Sequence, residues 1–228
     1  KKENVDTNSI PIKNGSRTSA AVLGIQPPDN FPLVFYRDNA ADSKLNIDDV
    51  INAKIPDYKM LLISGTALNI EPSRSATFYS VEIANKNNVE VVLDLDFRAD
   101  QWDDIRSYGL MIRALIPNIK VAIGTEEEIL AATLQDTSQL KIKNQQISSP
   151  EIKGNLNESI SHLISLGLNV LIVKRGEKGV SIFKKNSDPQ DVSGFPVEIL
   201  NVLGAGDAFA GGFLYGLLNG LDLYRSCR

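Results

Sequence analysis

From residue 43 onward, short apolar runs of strand length alternate with longer segments whose apolar residues recur at helical spacing. The runs fall at 60–63, 90–95, 120–123 and 170–173. Each is an apolar run of strand length rather than an alternating pattern, as expected of strands covered on both faces. Helical spacing marks 73–85, 102–115, 126–134, 156–166 and 205–218, so each gap between runs holds a crossover segment. This order predicts an α/β fold: a doubly wound, mainly parallel sheet with helices on both faces. Ahead of it, 17–23 and 33–37 read as strands flanking Pro27-Pro28-Asp29-Asn30, whose fixed proline φ and turn-prone Asp and Asn suit a reversal. We therefore expect residues 1–42 to contribute a β-hairpin lid and residues 43–228 to form the α/β core. The stretch 135–155, polar and broken by Pro150, reads as a surface excursion without core residues.

Composition narrows the partners. The formal charge is -4 and the 24 Lys and Arg are scattered, leaving no basic stripe for a nucleic acid backbone. The longest apolar runs fall far short of the ~20 residues of a membrane helix. Cys227 stands alone, which excludes an internal disulfide and a cysteine-built zinc site and suits a reducing, cytoplasmic setting. The polar start without an initiator Met, and an end without a capping signal, lead us to expect further residues on both sides.

The chemistry concentrates in Asn201-Val202-Leu203-Gly204-Ala205-Gly206-Asp207-Ala208-Phe209, a small-residue turn running into an apolar helix. Glycines there permit positive φ and close approach of a ligand, and the first N–H groups of a helix lack internal partners, so such a turn receives an anion. Asp207 beside those amides can accept a hydroxyl proton while they stabilise negative charge. The plainer reading is that Asp207 caps the helix and favours its dipole, worth ~1 kcal/mol. Phe209 breaks G-x-G-x-x-G, and no G-x-x-x-x-G-K-[ST] occurs, so neither a dinucleotide fingerprint nor a P-loop is supported.

Residues 201–214 resemble, position by position, the C-terminal signature of the ribokinase-like, or PfkB, carbohydrate kinases. The resemblance implies that Asp207 deprotonates a sugar hydroxyl while Gly204, Ala205 and Gly206 hold phosphates during transfer from ATP. Lys174-Arg175-Gly176-Glu177-Lys178-Gly179 is a glycine turn after a buried strand, and a plain hairpin turn would use the same residues. It is similar to the family's K-x-G-x-x-G segment, which implies that Gly176 and Gly179 lie by the nucleotide and Lys174 reaches its phosphates. Gly124-Thr125-Glu126-Glu127-Glu128 opens a helix, where acidic residues ordinarily serve the dipole. The family's N-x-x-E motif falls here and implies Glu127 as the residue that helps hold hydrated Mg²⁺, although Gly124 replaces the Asn.

Asp94-Leu95-Asp96-Phe97-Arg98 lies at the carboxyl end of a strand, the edge where open α/β sheets bind ligands. Asp96 and Arg98 could form a simple ion pair. The family's D-x-N-x-R, in which Asp96 here stands in for the Asn, implies instead that Arg98 faces the substrate and phosphate region and Asp96 the substrate. Phe35 to Asp42, by composition an edge strand and loop, is similar to the Y-R-x-x-A-A region of kinases for 2-keto-3-deoxygluconate and 5-dehydro-2-deoxygluconate, which implies Arg37 on an acidic or keto sugar. Together these segments are most similar to the 5-dehydro-2-deoxygluconate branch, which acts in myo-inositol breakdown.

The resemblance thus implies an ATP- and Mg²⁺-dependent sugar kinase, with room for a monovalent cation, and a homodimer joined through the lid. The rivals are a kinase for 2-keto-3-deoxygluconate, fructose or ribose, and a non-catalytic ligand-binding protein on the same fold. His162 and Trp102 are read as helix-surface and packing residues.

Overall fold

A computed structural model of the chain describes residue 3 and residues 5–25, 33–141 and 151–228. Strands β1 (Ala20–Leu23) and β2 (Leu33–Tyr36) pair antiparallel, so the expected hairpin forms, with strands shorter at their outer ends than the sequence suggested. Its expected turn at Pro27 to Asn30 lies outside the described residues. There follow α1 (Ile47–Asn52), β3 (Met60–Ser64), α2 (Ser73–Lys86), β4 (Glu90–Asp94), α3 (Ile105–Leu115), β5 (Val121–Thr125) and α4 (Glu126–Thr133). The chain continues through β6 (Leu140–Lys141), β7 (Glu151–Ile152), α5 (Leu156–Ser165), β8 (Val170–Lys174), β9 (Val180–Lys184), β10 (Gln190–Val192), α6 (Ala205–Leu218) and α7 (Leu223–Cys227).

The main sheet has the order β10-β9-β8-β5-β4-β3. The four apolar runs form its parallel part, while β9 and β10 extend it antiparallel, with β10 at the edge. Period-2 geometry divides β4, β5 and β8 between two cores, whereas β3, at the sheet edge, buries Ile63 on one face and leaves Leu62 exposed on the other, against the expectation that both its faces are covered. Val91, Leu93, Ala122, Leu171 and Val173 pack with α2 to α5 on one face. Val92, Val121, Ile123, Val170 and Ile172 pack with Phe213 and Ala210 of α6 and Cys227 of α7 on the other. Helices therefore cover both faces, and the ribokinase-like α/β expectation holds.

Other details differ from the sequence reading. Helix α3 starts at Ile105, where the Asp104 carboxylate accepts from the Arg106 N–H, and Trp102 instead lies buried edge-on against Tyr108. The 135–155 segment does send one side chain inward: Ile152 joins the core at 5% exposure and pins the short β6–β7 pair. Residues 142–150 of that segment, Pro150 included, are outside the described residues. Helix α1, which is only six residues long, was not anticipated; Asn46 and Asp49 close it with a reciprocal capping box.

Candidate active site

Parallel strands end together, so their last residues share one edge. Those residues are Ser64, Asp94, Thr125 and Lys174, adjacent in register as Ser64 beside Asp94 and Thr125 beside Lys174. Above this edge opens a cleft of about 960 Å³, walled on one side by the hairpin and on another by the turn before α6. Along β2, Leu33 and Phe35 line the cleft while Val34 and Tyr36 are exposed, as strand alternation requires.

The floor is a charged cluster. Lys174 Nζ lies 3.3 Å from Asp94 Oδ1 and 3.8 Å from Glu128 Oε2, all three side chains being largely buried. Glu128 is fixed by a capping box at the start of α4: its carboxylate accepts the Thr125 N–H at 2.7 Å, and Thr125 Oγ1 accepts the Glu128 N–H at 3.2 Å. Burial pushes the Asp94 and Glu128 carboxyls above their ordinary range, and the Lys174 charge opposes that rise in both. The negative charges of Asp96 and Asp207 add to the rise at Asp94.

The rim is the opposite case. Gly204 takes φ +79° as the left-handed residue before α6, a conformation that costs other residues about 1–2 kcal/mol. Of the following amides, Ala205 gives its N–H to the Val202 carbonyl at 3.3 Å, whereas the N–H groups of Gly206 and Asp207 have no partner among the described residues. Only part of the expected anion hole is therefore free backbone. The Asp207 carboxylate is exposed to the cleft, makes no capping bond and pairs with no described residue, so the helix-cap reading finds no bond to rest on. Beneath the turn, Lys174 Nζ sits 3.4 Å from where a Cβ on Gly206 would be.

Arg98 lines the cleft beside Phe35, its guanidinium 5.5 Å from the ring centre and 2.9 Å from Asp96 Oδ1. Arg37, from the end of β2, donates to the Gln101 side chain and pairs with Asp42. On the far side, Gly176 and Gly179 turn the chain from β8 into β9. A Cβ on Gly179 would lie 2.1 Å from the Val192 carbonyl oxygen, which makes glycine obligatory there.

The cleft therefore gathers Arg37, Asp96, Arg98, Lys174, Gly176, Gly179, Gly204, Ala205, Gly206 and Asp207, every candidate of the sequence reading except one. Glu127, expected at the site, is exposed and lies outside the lining, and its neighbour Glu128 is the buried carboxylate at the floor. The T-x-x-E spacing of Thr125 and Glu128 was the signal that separates the three glutamates, because a capping box turns its last member back toward the strand end. Asp94 and Thr66 also line the cleft and had not been singled out. Among the described residues no group of three or more His, Cys, Asp or Glu is arranged to hold a metal ion, and no helix is long and apolar enough to cross a membrane.

Known proteins share this framework. The 5-dehydro-2-deoxygluconokinase of Bacillus licheniformis is 30% identical over 220 residues, which make up 96% of this chain and 63% of the relative. The Bacillus subtilis protein of the same name is 29% identical over 224 residues, 98% of this chain and 64% of the relative. The chain thus spans less than two thirds of the length of these curated relatives. Among solved structures, a fructokinase from Vibrio cholerae O395, determined with fructose, ADP and calcium ion bound, is similar in fold: the TM-score is 0.78 at 24% identity, covering 99% of this chain and 68% of that one. The family described as pfkB family carbohydrate kinase matches residues 1–228 in full, and this chain belongs to it.

Proposed function

We propose that the protein transfers the γ-phosphoryl group of ATP to a hydroxyl of a keto or deoxy sugar acid, 5-dehydro-2-deoxygluconate being the first choice. The observation that carries this reading is the pairing, on one rim, of unpartnered N–H groups at Gly206 and Asp207 with an unpartnered Asp207 carboxylate. The attacking hydroxyl gives its proton to Asp207, while those amides and Arg98 stabilise charge on the group in transit. Gly204 and Ala205 shape the turn, and Gly176 and Gly179 border the nucleotide. Lys174 supports the phosphate turn from below rather than reaching out, since its ammonium is already engaged by Asp94 and Glu128.

The donor set fits a Mg²⁺ ion: hard carboxylate oxygens of Asp94, Glu128 and Asp207 line the same cleft, and the lack of a three-ligand cage suits an ion that keeps waters and binds mainly through phosphates. Glu128 takes the role first given to Glu127. When bound, the ion would neutralise charge on the phosphates. A monovalent cation remains a further candidate cofactor. The V. cholerae fructokinase solved with ADP and calcium ion supports a nucleotide and a cation on this fold.

Residues 1–42 would act as the lid and substrate side, and residues 43–228 as the nucleotide-binding core. Arg37 in the lid would select the acidic or keto sugar, supported by the names of the two Bacillus relatives. The exposed Val22, Val34 and Tyr36 on the outer face of the hairpin suit a homodimer contact. A cytoplasmic role in myo-inositol breakdown follows if the substrate is right.

The test is ADP release over a panel of 5-dehydro-2-deoxygluconate, 2-keto-3-deoxygluconate, fructose and ribose. Preference for the first supports the reading. Preference for a neutral sugar moves the protein to another branch, and absence of turnover with every sugar points to a non-catalytic binder.

A further inference from the structure

Asp96 occupies an unusual place. It follows the last residues of β4 with φ +35°, a region that side chains other than glycine rarely adopt. Such a conformation persists only where the surroundings over-determine it, and it marks positions where geometry matters. The surroundings here do so. The Leu95 N–H donates to the Ile123 carbonyl at 2.8 Å, and the Leu95 carbonyl accepts the hydroxyl of the fully buried Tyr108 at 3.0 Å. With Leu95 pinned on both sides, the next residue must turn sharply upward into the cleft.

The carboxylate of Asp96 is then held at three of its roughly four acceptor sites. Its Oδ2 accepts from Ser64 Oγ at 2.9 Å and from Thr66 Oγ1 at 3.1 Å, while Oδ1 takes Arg98 Nη2 at 2.9 Å. Few lone pairs are left for a sugar hydroxyl. Arg98 is held from the other side by the ring of Phe35. Resting on the kinase reading above, we propose that Asp96 is a positioning residue. It fixes the Arg98 guanidinium in the cleft, with Ser64 and Thr66 fixing Asp96 in turn, and the phosphoryl group meets Arg98 while the sugar does not meet Asp96.

The experiment compares Asp96→Asn, Arg98→Met and the double variant in the full chain. Asn tolerates the backbone conformation and keeps an oxygen for the two hydroxyls, so it removes chiefly the charged contact to Arg98. Positioning predicts a kcat about tenfold lower in Asp96→Asn with the sugar KM within about twofold, and no further loss when the change is added to Arg98→Met. A sugar KM raised about tenfold at unchanged kcat, or losses that multiply in the double variant, would overturn it. A second readout needs no turnover: the guanidinium NMR signals of Arg98 should show hindered Nη rotation in the parent and free rotation in Asp96→Asn. Free rotation in the parent overturns the proposal by itself. Hindered rotation in a parent that releases no ADP would leave the positioning intact and sink only the kinase reading.

Discussion

The floor and the rim of the cleft use the same residue types to opposite ends. At the floor, Asp94 and Glu128 are buried, Lys174 is largely so, and the three spend their charges on one another. At the rim, Asp207 and two backbone N–H groups are open and spend nothing within the described chain. Buried charges must be paired, because desolvation costs several kcal/mol per ion unless opposite charge and hydrogen bonds offset it. Exposed groups can stay unpaired at little cost, which leaves them free for a ligand. The difference teaches where to look first: a cluster of charges at a strand edge is part scaffold and part reagent, and its unpaired members are the ones whose removal should leave the fold intact.

The sharpest way to break that division is to change one member of each set. Asp207→Asn removes a proposed base that has no internal partner. Turnover should fall by about 10²–10⁴-fold, while the unfolding free energy from urea titration changes by no more than the ~0.5 kcal/mol typical of surface changes. Lys174→Met should strike the fold instead, leaving two carboxylates without their cation and costing roughly 3–5 kcal/mol of folding stability. Urea unfolding of both variants reads the contrast. If Asp207→Asn destabilised the fold more than Lys174→Met, the assignment of floor and rim would be wrong.

Two glycines extend the comparison at a smaller scale. Gly179 has φ +84° and no space for a Cβ, which would press on the Val192 carbonyl at 2.1 Å. Gly204 has φ +79° and open space around it. Gly179→Ala should therefore cost about 2–5 kcal/mol, backbone strain plus overpacking, and Gly204→Ala only about 1–2 kcal/mol of strain. Equal losses in the two variants would mean that crowding at the β9 edge relaxes without penalty.

The fold was legible where burial writes itself into the sequence. Mostly apolar runs marked β3, β4, β5 and β8 to within a residue or two at each end, because β4, β5 and β8 are covered on both faces and β3, at the sheet edge, still buries Ile63 on one. Strand β10 escaped, since at a sheet edge only Val192 of Gln190–Val192 points into a core and the run carries no apolar signature. The glycine turn before α6 was legible because its residue types are nearly unique to the conformation they adopt. The floor was harder. Three successive glutamates look alike in composition, and only the capping box sets Glu128 apart from Glu127. Contacts such as Arg98 on Phe35 or Lys174 between Asp94 and Glu128 join residues far apart in the chain, and no local pattern announces them.

The finest test of the floor is its dependence on pH. Glu128 holds its proton more tightly in the folded chain than in the unfolded one, chiefly because burial disfavours the charged form. Folding then takes up protons in the window between the ordinary glutamate range and the raised folded value. The contribution of this group to stability is complete below that window and is lost as pH rises through it. Glu128→Gln keeps the shape and a carbonyl oxygen for the Thr125 N–H but cannot ionise, so that loss disappears. It also leaves Lys174 wholly to Asp94, which favours the charged form of Asp94 and moves the balance the same way. Carboxyls elsewhere that folding pushes downward, such as Asp49 beside Lys13, are common to both proteins and cancel in the comparison. The variant should thus gain stability relative to the parent as urea unfolding is repeated from about pH 4 to about pH 7, around the ordinary glutamate range and above it. Parallel profiles would show that Glu128 ionises as easily inside the cleft as in water, and that the floor is far wetter than its burial implies.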